Sequence, residues 1–342
     1  MKNVRNRIRD TMDIDAKSPK IPPSSSATLP VGVLILALAL FVTTWVIAPQ
    51  ETLSGEIHPT PVTLRPRQGT APRFTPRPEN HPGQVATASG QVATASSERP
   101  MLVRGFGHPY EIALTFDDGP HPHYTAKVLD ILHHYRVKAA FFINGMWLAM
   151  DPKGRARAVL TRAYLEGHLI GNHTYSHELL SRLPPAKQTW QIVANELLVS
   201  DLIAQRPRIF RPPYGQMTRH ATEVLRQYGY QEVLWNIASH EGDAEGDPEP
   251  IAHELMMWVL HHKGGIVLLH DRLPASVQAT ALLLAHLRKI NCRRLRQGKT
   301  LFRVVGLDSF LRSPAESRAL APRRAKARRH FRARLETLCK GQ

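Results

Sequence analysis

Short apolar runs alternate with amphipathic stretches along the chain from residue 108 onward. The runs have the length and composition of β-strands, and the stretches between them place apolar residues at helical spacing. Strands are predicted at residues 112–116, 139–144, 168–172, 209–211, 232–237, 265–270 and 301–305. Helices are predicted at residues 125–135, 155–166, 186–205, 218–228, 250–262 and 276–289. This alternation predicts a parallel α/β sheet or barrel, whose active site lies beyond the carboxyl ends of the strands.

The amino-terminal part shows a different pattern, a long apolar run. Residues 31–48 form an uncharged stretch of eighteen residues, close to the roughly 20 that a helix needs to cross the hydrocarbon layer. Six Lys and Arg against three Asp in residues 1–30 favour a cytoplasmic N-terminus. We therefore predict a transmembrane signal-anchor that leaves the rest of the chain periplasmic or extracellular. The alternative is a cleaved signal peptide, although the run exceeds the usual length of about 7 to 15 residues.

A segment rich in Pro, Ser and Thr follows the predicted span. Residues 49–107 show little periodicity, and the heptapeptide GQVATAS occurs twice, at residues 83–89 and 90–96. Two short polar copies cannot form a repeat core. We interpret the segment as a disordered linker that holds a soluble domain away from the membrane.

Composition and charge are consistent with this division. With 342 residues, 42% of them hydrophobic, the chain can bury a core, which excludes a wholly disordered or collagen-like protein. Two cysteines exclude a disulfide scaffold. The formal net charge is +17, and residues 286–342, with seventeen Lys and Arg against three acids, supply +14 of it. The remainder is nearly neutral, and the basic tail at residues 313–342 needs its own explanation. Because the predicted topology places this tail outside the cytoplasm, we expect no nucleic-acid partner.

Two adjacent carboxylates end the first strand of the predicted sheet, in the sequence TFDDGP at residues 115–120. Consecutive side chains of a strand point to opposite faces, but a Gly-Pro turn can bring Asp117 and Asp118 towards one pocket. Bringing two acids together costs free energy unless a cation or a shared proton compensates. A solvated turn is the alternative interpretation.

Two histidines spaced by four follow the predicted strand at residues 168–172. In a helical turn, this spacing would place the rings of His173 and His177 on one side, where both can reach one metal ion. Two histidines and one Asp leave coordination positions open, which is typical of catalytic metal sites. Two further stretches also fall at strand ends: RPPYG, which contains Arg211 and Tyr214, and LLHD, which contains His270.

Together, these four stretches resemble the polysaccharide deacetylases, the NodB homology domain of carbohydrate esterase family 4. The resemblance covers roughly residues 110–305, in the family's order. It implies an irregular (β/α)7 barrel, placed here at residues 108–312, and metal-dependent hydrolysis of N-acetyl groups on an N-acetylhexosamine polymer. It further implies that Asp118, His173 and His177 bind a divalent metal, usually zinc, with Co²⁺, Mn²⁺ or Ni²⁺ as alternatives.

The resemblance also implies roles for the remaining matched residues. Asp117 would be the general base, held by Arg211, and His270 would be the general acid. Tyr214 would offer its backbone N–H to an oxyanion. An imidazole that titrates near neutral pH is chemically suited to protonate a departing amine.

One segment departs from the family pattern. The family's Asp-x-x-Asp-Trp motif should fall near residues 238–242, where this chain has Ala238 for the first Asp, Glu241 for the second and Gly242 for the Trp. Glu241 keeps a carboxylate that can orient His270, with one more methylene of reach, and Asp243 is the alternative. Loss of the Trp leaves the acetyl pocket wider or filled from another loop.

The basic tail is predicted as a disordered or helical arm. It would bind anionic lipid headgroups or an acidic cell-wall polymer, and a solubilising tail without a dedicated partner is the alternative. Cys292 and Cys339 allow one intramolecular disulfide, and two separate thiols remain equally consistent with the sequence.

Three functional hypotheses follow from these residues. The first is a membrane-tethered deacetylase of an acetylated polysaccharide, with peptidoglycan ahead of chitin-like or poly-N-acetylglucosamine chains and O-acetylated xylan. The second is a glycan-binding relic of the same fold, impaired by the altered segment at residues 238–242. The third is a non-haem iron oxygenase, because two His and one carboxylate also bind Fe(II). That chemistry leaves Asp117 and His270 without a role.

Overall fold

A computed structural model describes residues 102–105, 109–241 and 246–340 of the chain. The predicted segments 1–30 and 31–48, and most of 49–107, lie outside the described residues. No helix within the described ranges combines the length and the hydrophobicity that a membrane crossing requires.

The strands of the described residues form one parallel sheet of eight. They are β1 Leu102–Val103, β2 Glu111–Asp117, β3 Ala140–Ile143, β4 Leu169–Asn172, β5 Ile209–Phe210, β6 Gln231–Val233, β7 Gly265–His270 and β8 Arg303–Val304. Hydrogen-bonded neighbours follow the order β1-β6-β5-β4-β3-β2-β7, and β8 pairs with the start of β2. A parallel bridge between Ile237 and Val267 joins the segment after β6 to β7. The predicted parallel α/β architecture is confirmed.

Helices connect these strands. Their bounds are α1 Tyr124–Tyr135, α2 Gly145–Ala149, α3 Arg155–Leu165, α4 Pro185–Ile203, α5 Arg219–Gln227, α6 Pro248–His262, α7 Pro274–Arg296, α8 Pro314–Ala319 and α9 Ala321–Leu338. All six predicted helices are present, and α7 continues beyond its predicted end. The short α2 was not predicted, because it depends on the side chain of Asn144, which accepts a hydrogen bond from the backbone N–H of Met146 at 3.2 Å.

Strand β2 shows how the fold directs a carboxylate inward. Ile112, Leu114 and Phe116 pack in the core cluster that includes helix α1, whereas Ala113 packs with residues of the neighbouring strands. Thr115 lies on the same face as Ala113, and its hydroxyl donates to the carbonyl of Val267 at 2.7 Å. Since side chains alternate along a strand, Asp117 also belongs to this inner face.

The structure corrects the end of the predicted linker. Leu102–Val103, placed by the sequence within residues 49–107, form β1 and pair in parallel with Glu232 and Val233. Two residues are too few to show a periodic pattern, and their strand conformation depends on pairing with a distant segment. The domain therefore begins before residue 108.

The basic tail is helical and packs on the domain. Leu335 and Cys339 form a small buried cluster with Cys292 of α7, against which Phe331 packs. Cys292 and Cys339 form a disulfide that spans 47 positions of sequence. The boundary predicted at residue 313 therefore does not mark the end of the folded domain, because an apolar edge of α9 is buried against α7.

We expect removal of this disulfide to lower the free energy of unfolding. In the loop-entropy account, a disulfide that spans 47 residues lowers the entropy of the unfolded chain and so stabilises the fold by about 4 kcal/mol. The contribution of a disulfide is typically about 2–4 kcal/mol. Cys292→Ala/Cys339→Ala should show this loss in urea unfolding, and the wild-type protein in reductant should match it. Equal stability of the oxidised and reduced proteins would contradict the expectation.

Candidate active site

Four strand ends bring polar side chains to one edge of the sheet. Asp117 ends β2, His173 follows β4, Arg211 follows β5 and His270 ends β7. Asp117 and His270 are register partners on adjacent parallel strands. In parallel sheets, the carboxyl ends of the strands share one edge, so residues distant in sequence meet there.

Asp118 turns its carboxylate to the same pocket as Asp117. Its backbone lies in the left-handed region, with φ 71°, which Asp tolerates better than most residues. His173 Nε2 lies 3.8 Å from Asp117 Oδ2 and 3.5 Å from Asp118 Oδ1. Gly119 must then pass close to Asp271, because a Cβ on it would lie 2.3 Å from Asp271 Oδ2. The carboxylates of Asp117 and Asp118 therefore face one pocket, as predicted. The left-handed backbone of Asp118 brings them together, and not only the Gly-Pro turn that follows it.

Arg211 is fully buried and pairs with Asp117. Its Nη1 donates to Asp117 Oδ1 at 2.7 Å and to Thr115 Oγ1 at 2.9 Å, and its Nε donates to the carbonyl of Val233 at 3.0 Å. Burial lowers the pKa of Arg211, and the carboxylate of Asp117 opposes that shift. The guanidinium fixes Oδ1 of Asp117 and leaves Oδ2 facing the pocket.

The two histidines lie in a loop, which corrects the expected helical turn. Thr174 and His177 both have positive φ, at 66° and 59°. The side chain of Asn172 accepts from the N–H of Thr174 at 2.9 Å, and the hydroxyl of Thr174 accepts from the N–H of His177 at 3.2 Å. These side-chain hydrogen bonds replace helical ones. The rings of His173 and His177 still meet, with centroids 4.9 Å apart.

Asp118, His173 and His177 form a group that fits a divalent metal ion, and one ligand atom of each lies within 4.8 Å of the others. Asp118 Oδ1 is 3.2 Å from His177 Nε2 and 3.5 Å from His173 Nε2. Ligands on a tetrahedral zinc, with bonds of roughly 2.0–2.1 Å, lie roughly 3.3 Å apart. Asp118 Oδ1 is buried and, among the described residues, meets no hydrogen-bond donor in suitable geometry, so a cation would satisfy it.

The surroundings keep these ligands in the protonation states that a metal requires. His173 Nδ1 lies 2.7 Å from the carbonyl of Arg211 and donates to it in the tautomer that frees Nε2. Burial lowers the pKa of His177, and His173 lowers it further, which favours the neutral ring. Burial would raise the pKa of Asp118, but His173, Arg272 and His177 outweigh it and hold the pKa well below its usual range.

Two residues of this site were not singled out from the sequence. Arg272 Nε donates to Asp118 Oδ2 at 2.8 Å, so it binds the carboxylate oxygen that faces away from His173 and His177. Asp271 is fully buried, accepts a hydrogen bond from Thr125, and has a pKa raised by burial to about 7. Their position beside His270 in the chain was the available signal.

Glu241 contacts the ring of His270, the contact that the sequence predicted for these two residues. His270 Nδ1 contacts Glu241 Oε2, and the hydroxyl of Ser276 donates to Glu241 Oε1. Burial would lower the pKa of His270, but the hydrogen bond and charge of Glu241, with the charge of Asp117, raise it to about 9. The ring therefore carries a proton at neutral pH. Gly242 of the altered segment lies outside the described residues.

Tyr214 lies at the rim of the site. Its backbone has φ 60° within a short turn at Pro213–Gly215, and its ring packs edge-on against His177, with centroids 4.8 Å apart. The side chain is 62% exposed, so it borders the opening of the pocket. The structure thus brings all eight predicted site residues to one edge of the sheet.

Comparison with known proteins identifies the class. The family model described as polysaccharide deacetylase matches residues 107–233. A peptidoglycan-N-acetylglucosamine deacetylase of Bacillus cereus is 34% identical over 187 residues, 52% of this chain and 82% of the relative. The chain belongs to the polysaccharide deacetylase family.

Two further similarities show the extent of the likeness. Another peptidoglycan-N-acetylglucosamine deacetylase of Bacillus cereus is 33% identical over 163 residues, and the match spans 47% of this chain and 58% of that relative. The solved structure of the chitin deacetylase from the fungal pathogen Colletotrichum lindemuthianum is 27% identical, with a TM-score of 0.52 over 63% of this chain and 93% of that chain.

We expect Arg211→Met to lower the free energy of unfolding by about 3–5 kcal/mol, because it leaves Asp117 buried without its cation. Asp117→Asn in the same chain should recover part of that loss, since the uncompensated charge is then gone. Urea unfolding in the presence of a chelator measures both. Arg226→Met is the matched control, because Arg226 is exposed and its ion pair with Glu223 is 3.5 Å long. An equal cost for Arg226→Met and Arg211→Met would contradict the account.

We expect the ring of His270 to titrate near pH 9 in the metal-free protein. Its folded pKa lies above the ordinary 6.5, so its pairing with Glu241 stabilises the fold fully below pH 6.5, and that contribution is lost as the pH rises through 9. Glu241→Gln should lower this pKa, whereas Glu249→Gln, at an exposed position, should not. Titration by histidine-ring NMR measures it, and a wild-type pKa at or below 6.5 would contradict the assignment.

Proposed function

We propose that this protein hydrolyses N-acetyl groups of an N-acetylhexosamine polysaccharide. Peptidoglycan is the candidate substrate that we favour, ahead of chitin-like chains. One observation carries the proposal. The three side chains that fit a metal ion lie at the same edge of the sheet as Asp117 and His270, which end two adjacent strands. Relatives named for peptidoglycan and for chitin support the substrate class.

Asp118, His173 and His177 would hold the divalent ion, with zinc as our first choice because two imidazoles and one carboxylate suit it. Such an ion, when bound, polarises an amide carbonyl and lowers the pKa of water from about 15.7 towards about 7. The rest of the chemistry falls to the side chains of this chain.

Asp117 acts as the general base in this proposal. Its Oδ1 is held by Arg211 at 2.7 Å, and its Oδ2 faces the pocket, where it takes a proton from the attacking water. The water oxygen forms the new bond to the acetyl carbon. Tyr214, whose backbone lies at the rim of the pocket, offers its N–H to the carbonyl oxygen as negative charge develops there.

His270 acts as the general acid. Glu241 accepts the hydrogen bond of Nδ1 and raises the pKa of the ring to about 9, so Nε2 carries a proton to give at neutral pH. Nε2 donates that proton to the amine nitrogen as the carbon–nitrogen bond breaks. The amide and one water thus become acetic acid, which loses its proton to solvent as acetate, and a free sugar amine. Asp117 then releases the proton it took, and His270 regains one, so both side chains return to their starting states.

We further propose that residues 31–48 anchor the chain in a membrane with the enzymatic domain periplasmic or extracellular. The uncharged run and the basic residues before it support this orientation. A linker of about 60 residues would let the domain reach a polymer near the membrane.

The expected outcome is acetate release from one of three N-acetylated glycans: peptidoglycan, chitin oligosaccharide or poly-N-acetylglucosamine. O-acetylated xylan is tested beside them, and release from xylan alone would contradict the proposed N-acetyl specificity. Asp117→Asn should lower the rate by about 10²–10⁴-fold, because general base catalysis is lost, and a chelator should abolish release until metal is returned. Asp201→Asn, an exposed site on α4, is the matched control and should retain the rate.

Three outcomes would overturn the proposal. Unchanged release in both Asp117→Asn and chelator would contradict the mechanism. Sugar binding without acetate release under any added metal would favour the glycan-binding relic. Oxygen consumption on addition of Fe(II) would favour the oxygenase.

A further inference from the structure

A second cavity lies at the opposite end of the sheet from the active site. It has a volume of about 290 Å³, and its walls include Glu111 and Arg303, which begin β2 and β8 respectively. The candidate active site lies beyond the carboxyl ends of the same strands. None of the residues assigned to the deacetylation reaction lines this cavity.

The cavity is strongly cationic. Its lining residues include five basic side chains and one carboxylate, namely Lys299, Arg303, Arg328, Arg329 and Arg332 with Glu111. Glu111 is shared between Arg303 at 3.6 Å and Arg328 at 3.5 Å. Arg332 also pairs with Glu336 on α9 at 3.2 Å. Two carboxylates still cannot neutralise five cations, and Arg303 Nη1 is buried without a hydrogen-bond partner among the described residues.

The fold holds these like charges in place. Three of them lie on α9, which the Cys292–Cys339 disulfide and the buried side chain of Leu335 fix against α7. Arg324, on the same helix, donates to the carbonyl of Ser309 at 3.1 Å. Cations on a free tail could separate to reduce their repulsion, but cations on a docked helix cannot. An anion in the cavity would offset that repulsion.

The residue types favour phosphate as the anion. A carboxylate is satisfied by one bidentate arginine, whereas Arg303, Arg328, Arg329 and Arg332 surround this cavity together. A phosphate group offers several oxygens and higher charge to such a cluster. Basic residues also continue along the exposed surface of α9, at Arg323 and Lys326, so a ligand with repeated phosphates would contact more of the helix than a single ion.

A linear polymer fits this surface better than a membrane. Helices that lie in a bilayer interface insert large apolar side chains. Phe331 and Leu335 instead pack inward beside the disulfide, and the large apolar side chain that α9 exposes is Leu338, at its end. The 18 residues of α9 give a rod of about 27 Å, along which successive phosphates could bind.

We propose that α9 and the adjoining cavity form a binding site for a linear, phosphate-bearing anionic polymer, separate from the active site. The site would keep the enzyme on a surface rich in such a polymer while the other end of the sheet acts on acetylated sugar. Binding does not depend on catalysis, so this proposal and the proposed function can fail independently.

The test is binding of long-chain polyphosphate to the full chain, measured by fluorescence anisotropy over a range of salt concentrations. Arg329→Gln/Arg332→Gln removes two cavity charges, and Gln preserves helix propensity. We expect this variant to weaken binding at least tenfold and to reduce the slope of log K against log salt by about two, one for each lost contact. Arg323→Gln/Lys326→Gln is the matched control outside the cavity and should weaken binding less.

Comparison ligands separate the other possibilities. Inorganic phosphate and polyglutamate should each bind more weakly than polyphosphate, and vesicles with anionic lipid should not compete for the site. The proposal is overturned if polyphosphate does not bind, if the two double variants lose affinity equally, or if vesicles or polyglutamate bind more tightly than polyphosphate. Circular dichroism of each variant confirms that α9 remains folded.

Discussion

A buried arginine connects the strands that form the candidate active site. Arg211 follows β5, donates to Asp117 at the end of β2, and donates to the carbonyl of Val233 at the end of β6. A cation placed so deep must be paired and fully hydrogen-bonded, otherwise its burial costs several kcal/mol. The same pairing orients Asp117 and, through the carbonyl of Arg211, the ring of His173. One residue therefore orients both, Asp117 through its side chain and His173 through its backbone carbonyl.

The parallel sheet gives its two ends opposite chemical character. At the carboxyl ends, carboxylates and imidazoles meet. Three of these side chains are each held by a hydrogen-bonded partner: Asp117 by Arg211, Asp118 by Arg272, and His270 by Glu241. At the amino ends, helix α9 of the basic tail places Arg328, Arg329 and Arg332 along a cavity that also contains the buried Glu111. A single fold thus places a group of carboxylates and imidazoles at one end of the sheet and a cationic surface at the other.

Much of the sheet and the site could be predicted from the sequence, because the relevant signals are local. Apolar runs such as residues 265–270 mark buried strands, and strand ends mark the edge where side chains converge. Glu241 was predicted to face His270, and the two side chains are in contact. Three features depend on contacts between distant segments and were not predicted: β1, the contact of Arg272 with Asp118, and the docking of α9. The expected helical turn at His173 was wrong for a related reason, since the hydroxyl of Thr174 and the amide of Asn172 shape that loop.

The central claim is that Asp118, His173 and His177 bind one metal ion at the catalytic edge. The most direct measurement is an anomalous difference map, at the zinc absorption edge, from a crystal of the zinc-loaded protein. The account predicts one strong peak at roughly 2.0–2.2 Å from Asp118 Oδ1, His173 Nε2 and His177 Nε2. A strong peak that contacts none of these atoms, or no peak at this edge of the sheet, would contradict it.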